Sequence, residues 1–175
     1  MSLTSIFLGL GSNSSRAQHL CAGLDALQSF LHELRCSPVF ESEAVGIKSP
    51  PFFNLVVSAQ TALSLAELDQ RLKAIETANG RYAPERKALP LDIDILMYGD
   101  QVGDFAGLLL PRPEILCNAF VLWPLALLAP EVQHPQAGRS FSQLWEQARI
   151  SQRLRPVSFV WKGVELTPDD LREGQ

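Results

Sequence analysis

The chain opens with an apolar run from Ser5 to Leu10, closed by Gly9 and Gly11 and followed by Ser12, Asn13 and Ser14. This pattern predicts a strand running into a helix, with the three polar residues as helix caps. From Ala17 to Leu34, Leu20, Leu24, Leu27, Phe30, Leu31 and Leu34 recur at intervals of three and four, the spacing of one buried helix face. Cys36 to Ser42 reads as a second strand, and Glu43 to Pro51, with Gly46 and a Pro-Pro pair, as a loop. Phe53, Leu55, Val57 and Ala59 then alternate with Asn54, Val56, Ser58 and Gln60, giving a third strand that puts Asn54 on the opposite face. Ser64 caps a second amphipathic helix that turns Leu68, Leu72 and Ile75 inward and stops at Gly80. A polar, basic loop, Arg81 to Pro90, leads into a fourth strand, Leu91 to Tyr98. Strand, helix, strand, strand, helix, strand is the βαββαβ plan of a ferredoxin-like α/β (α+β) fold, with a mainly antiparallel sheet and helices on one face.

Beyond that core, Gly99 to Gly107 reads as loop and edge, and Leu108 to Leu110 as a brief strand. Ala119 to Leu128 is apolar nearly all round, which predicts burial. Phe141 to Ile150 reads as a short helix, Val157 to Trp161 as an added strand, and the acidic end from Pro168 to Gln175 as frayed chain.

Composition narrows the classes. With 175 residues, 46% of them hydrophobic, the chain suits one domain spanning 1–175, its core about 5–150 and a C-terminal extension about 151–175. Fifteen basic against nineteen acidic residues leave a net charge of -4, which excludes the basic field of a nucleic-acid binder. A phosphate-bearing ligand is then a small one, held by local cations and a divalent metal. Cys21, Cys36 and Cys117 are scattered without a CxxC pair, and His19, His32 and His134 have no ligand spacing, so a zinc site is not expected. The opening apolar run has no basic residues before it, and the longest apolar stretch is too short for a membrane helix. The expectation is a soluble, cytoplasmic monomer that meets neither membrane nor nucleic acid.

Leu91-Asp92-Ile93-Asp94-Ile95-Leu96 carries the strongest chemical signal. On a strand the two aspartates share one face about 7 Å apart, where they repel each other unless solvent or a cation intervenes. They fit either a magnesium site that also takes substrate phosphates or a solvated sheet face. Gly9 and Gly11 supply two glycines of a dinucleotide turn, but Ser14 stands where the third belongs, so the segment reads as a tight turn. Asn54, among apolar neighbours, must satisfy backbone groups or read the edge of a flat heterocycle. Phe120 and Trp123 serve either the core or a stacking surface.

Taken together, LGLGSN at the start, PPFFN before the third strand, PLDIDIL and AFVLWPLALLAPE resemble the 6-hydroxymethyl-7,8-dihydropterin pyrophosphokinase family, in the same order and over about Ile6 to Trp145. That resemblance implies a ferredoxin-like fold and transfer of pyrophosphate from ATP to a hydroxymethyl dihydropterin with two Mg2+ ions, releasing AMP, on the route to folate. It places Asp92 and Asp94 at the catalytic, magnesium-binding positions. It places Ser42, Val45, Asn54 and Phe120 around the pterin, with Phe52 where a second aromatic often stands. Glu76, Arg81, Arg86, Lys87 and Arg112 fall on the ATP side.

The nucleotide half departs from the family pattern. Arg86-Lys87-Ala88-Leu89-Pro90-Leu91-Asp92 lacks the usual Trp and puts Leu89 where a phosphate-gripping Arg is expected. Pro111-Arg112-Pro113-Glu114-Ile115 replaces Pro-His-Pro-Arg-Met, and Asn118 replaces another Arg. The sequence therefore predicts family-like pterin binding with weak, salt-dependent ATP binding. A pterin binder without turnover and a ferredoxin-like structural module stay open as alternatives.

Overall fold

The first predicted strand lies inside the sheet, flanked on both sides by antiparallel neighbours. The computed structural model describes residues 2–43, 50–84 and 88–173. Strand β1 (Thr4–Ser12) pairs with β4 (Phe52–Thr61) on one side and β5 (Asp92–Tyr98) on the other. Strand β3 (Val39–Ser42) follows β4, and β8 (Leu154–Val157) completes the order β5-β1-β4-β3-β8; β2 (His32–Cys36) also pairs with β4. The four segments of the βαββαβ core thus form an antiparallel sheet in the ferredoxin-like order.

Helices α1 (Arg16–Gln28) and α2 (Leu65–Ala78) cover one face. Their Leu20, Leu24, Leu27, Leu68 and Leu72 close over Ile6, Leu8 and Leu10 of β1 and Leu55 and Val57 of β4. A capping box opens α2: Ser64 Oγ accepts from Glu67 N–H, and the Glu67 carboxylate accepts from Ser64 N–H. The other face is not bare, as the one-sided plan had it. Helix α3 (Ala119–Leu128) and α4 (Phe141–Gln147) bury Phe7, Val56 and Leu96 there. An all-apolar helix has no solvent face to offer, so it must sit between sheet and further chain. Trp123 of α3 packs on Phe40 and stacks on Trp145 of α4, ring centroids 5.3 Å apart.

Several boundaries differ from the sequence reading. Helix α1 ends at Gln28, and the supposed last turns become β2, in which Leu34 and Cys36 turn inward. Apolar residues at 30, 31 and 34 suit a helix face, yet pairing with the exposed side of β4 satisfies the same backbone. The three polar residues after β1 are not the cap: Ser15, in a left-handed conformation, holds that position without a side-chain bond. Strands β6 (Gly103–Phe105) and β7 (Leu108–Leu110) form a hairpin. The strand expected at 157–161 divides into β8 and a second hairpin, β9 (Val160–Trp161) with β10 (Val164–Glu165). Helix α4 stops at Gln147 rather than Ile150. The expected frayed end instead holds α5 (Asp169–Glu173), anchored because Thr167 Oγ1 accepts from Val39 N–H at 3.0 Å. No helix among the described residues is long and apolar enough to cross a membrane.

Candidate active site

Helices α3 and α4 cover only part of their face, and the sheet end they leave open holds a cavity of about 170 Å3. The register of β1 explains its floor. Gly9 lies opposite Asp94 on one side, while Gly11 lies between Asp92 and Asn54 on neighbouring strands. A Cβ at Gly11 would stand 2.9 Å from Asn54 Nδ2, so only glycine leaves the amide its place. Asn54 is buried, and its Oδ1 accepts from the Ser42 hydroxyl at 2.5 Å. That bond turns Nδ2 away from Ser42, leaving the amide donors for a ligand. Phe120, at the start of α3, lines the same cavity, whereas Trp123 belongs to the aromatic core.

The opposite wall is charged. Asp92 Oδ1 accepts from Arg81 Nη1 at 2.6 Å. Among the described residues the cation that Asp94 meets is Arg112, Nη2 to Oδ1 at 3.6 Å, and Arg112 is itself drawn onto Glu114 through Nε. Burial first, and then the neighbouring charge of Asp92, push the Asp94 pKa up to about 8. The pair is thus one positive charge short of comfort. Mg2+ typically binds through one or two carboxylates, taking its other ligands from water and substrate phosphates, so the donor set fits that ion. No group of three or more acidic, His or Cys side chains suited to a metal gathers among the described residues.

Glu76 is placed behind the cavity rather than on it. It is buried, and its Oε2 accepts from Ile93 N–H at 2.8 Å and from Arg81 Nη1 at 3.1 Å. Its Oε1 accepts from the Tyr82 hydroxyl at 3.0 Å. Oε2 thus aligns Arg81 and the start of β5, while Oε1 holds Tyr82. Asn13, read as a cap, pins the chain before β5: its Oδ1 accepts from Leu89 N–H at 2.6 Å, and its N–H donates to Leu89 O at 3.0 Å.

Of the residues singled out in the sequence, Asn54, Asp92, Asp94, Arg112 and Phe120 line one cavity, with Ser42 bonded to Asn54 and Arg81 to Asp92. Phe52 lies near it, since a Cβ at Gly11 would meet its Cδ1 at 3.7 Å. Val45, Arg86 and Lys87 lie outside the described residues. The sequence reading missed the part of Gly11, whose signal is a glycine in an otherwise apolar strand. A larger hollow of about 720 Å3 at the far end of the sheet is lined by Arg35, His134 and Gln60 of β4, whose amide donates to Glu33.

Comparison with known proteins decides the ancestry. The family model described as 7,8-dihydro-6-hydroxymethylpterin-pyrophosphokinase (HPPK) matches residues 7–130. The chain belongs to the HPPK family. It is 37% identical over 150 residues to a 2-amino-4-hydroxy-6-hydroxymethyldihydropteridine pyrophosphokinase of Synechocystis sp., covering 80% of this chain and 74% of that one. The corresponding protein of Aquifex aeolicus is 34% identical over 140 residues, covering 76% and 85%. Among solved structures, Plasmodium falciparum wild-type HPPK-DHPS with SDX-DHP superimposes with a TM-score of 0.73 at 12% identity, covering 95% of this chain and 50% of that one. This HPPK-family chain thus spans about half the length of that Plasmodium chain, and the likeness there shows the shared fold.

Proposed function

We propose that the chain transfers pyrophosphate from ATP to 6-hydroxymethyl-7,8-dihydropterin, with AMP as the other product, in folate biosynthesis. The convergence of Asn54, Phe120 and the Asp92–Asp94 pair on one cavity carries this reading. A pterin is flat, apolar on its faces and rich in hydrogen-bonding atoms along its edge. Phe120 offers a face for stacking, and the Asn54 amide, held by Ser42, offers donors of fixed direction to that edge.

Asp92 and Asp94 would hold Mg2+, which when bound neutralises phosphate charge and orients the phosphates for in-line displacement. The pterin hydroxymethyl oxygen forms a bond to the β-phosphorus while the bond from that phosphorus to the AMP oxygen breaks. The hydroxyl proton passes to solvent and AMP leaves. Arg81 and Arg112 stand on the aspartates, and with Mg2+ on those carboxylates both guanidinium groups would be available to phosphate. The work of the protein is placement and charge balance rather than covalent chemistry.

An AMP-release assay with hydroxymethyl dihydropterin, ATP and MgCl2 tests the reading. AMP formed only when all three are present supports it. Pterin binding without AMP release would instead establish the non-catalytic relative.

A further inference from the structure

The match to the HPPK family ends at residue 130, yet a side chain beyond it bonds to Asn118, which lines the cavity. Gln152, in the segment between α4 and β8, reaches the start of α3. Its Oε1 accepts from Ala119 N–H at 2.7 Å, and its Nε2 donates to Asn118 Oδ1 at 3.2 Å. Asn118 is the N-cap residue of α3 but makes no capping bond of its own, because Gln152 supplies the acceptor instead.

We infer that Gln152 is a positioning residue that sets which end of the Asn118 amide faces the cavity. The Ala119 backbone N–H can only donate, so the Gln152 atom facing it must be the oxygen. The other end of the Gln152 amide is then the NH2 group, and the Asn118 atom meeting it must also be an oxygen. Asn118 therefore turns Nδ2 away from Gln152. Asn118 lines the cavity beside Asp94 and Arg112, and its Nδ2 has no partner among the described residues. One backbone donor thus propagates through two amides and presents a pair of neutral N–H donors to the ligand. On the phosphotransfer reading, which this inference uses only to name the acceptor, they meet a phosphate oxygen of ATP. The chain substitutes an oriented amide for a cation at that place.

Gln152→Glu tests it without altering the cavity wall. A carboxylate still accepts from Ala119 N–H, and a negative charge beside a helix N-terminus is favoured, so a purely structural cap would be preserved. Its second oxygen, however, can only accept, which turns Asn118 around and shows Oδ1 to the ligand. The expected result is a displaced Asn118 side-chain 15N–1H resonance pair, an unchanged or raised melting temperature, and a Mg-ATP dissociation constant raised about three- to tenfold, the loss of one neutral hydrogen bond. The KM for hydroxymethyl dihydropterin stays as it was. Unmoved Asn118 resonances, or moved resonances with unchanged Mg-ATP affinity, overturn the inference. If the glutamate variant does not fold, Gln152→Ala replaces it: freeing Asn118 to rotate lowers Mg-ATP affinity, and unchanged affinity overturns the inference. A wild-type protein that releases no AMP, yet whose Mg-ATP affinity responds to Gln152→Glu, removes the functional reading and leaves this one standing.

Discussion

The two walls of the cavity are built on different physical terms. The amide wall consists of Asn54, Ser42 and Gly11 on adjacent strands, with one short hydrogen bond and a glycine gap that fits no other residue. The charged wall consists of Asp92, Asp94, Arg81, Arg112 and Glu114, half-exposed and held by ion pairs of uneven quality. A wall made of neutral amides inside a sheet is complete before its ligand arrives. A wall of ion pairs is a set of provisional partners that a cation and a polyanion can displace, because partly solvated pairs are individually weak. Preformed recognition on one side and exchangeable charge on the other suit a site that holds a flat ring still while phosphates and metal come and go.

The sharpest way to break the comparison is to disable the charged wall alone. Asp94→Asn should lower Mg-dependent turnover about a hundredfold or more, in line with the removal of a strong electrostatic group from an active site, while the dissociation constant for hydroxymethyl dihydropterin changes little. Equal loss of pterin affinity in titration calorimetry would show that the walls are not separable. The reverse experiment is Asn54→Ala, expected to weaken pterin binding about tenfold to a hundredfold, because it strands both the Ser42 hydroxyl and the ligand edge. Mg-ATP affinity should remain, provided circular dichroism shows a folded protein.

Smaller changes sharpen the contrast. Leu89→Arg, alone and with Asn118→Arg, should tighten Mg-ATP binding about tenfold for each charge-assisted bond gained; no gain would mean that the chain pinned by Asn13 cannot deliver the new side chain. Stability against pH gives the mildest readout. Asp94 keeps its proton in the folded chain up to about pH 8 but loses it near 3.8 when unfolded, so the folded state binds more protons across that window. Stability should therefore fall as pH rises from about 4 to 8 and level off above, whereas Asp94→Asn should lack that component. Thermal melts of the two proteins in parallel, without metal, measure the difference.

Much of this molecule is legible in its sequence, for local reasons. Alternation along Leu91–Leu96 places two aspartates on the face opposite Ile93 and Ile95, and the observed strand does the same. The period and capping box of α2, the alternation of β4, and the family motifs around Asn54, Asp92 and Phe120 likewise depend on neighbours close in the chain. The fold class follows from their order. What the sequence did not show depends on distant partners. Leu31 and Leu34 continue a helical spacing, yet the chain becomes β2 because β4 offers an edge to pair with. The resemblance puts Glu76 on the ATP side, and the bonds from Ile93, Arg81 and Tyr82 to its two oxygens appear only in the folded chain. Gln152 carries no signal at all, and it meets Asn118 only because α4 and β8 bring it back to α3. Side-chain periodicity and motif order are local properties, which the sequence by itself determines. The partner that fixes a buried amide's direction, or consumes a buried carboxylate, is chosen by which segments the fold brings together, and only the tertiary structure decides that.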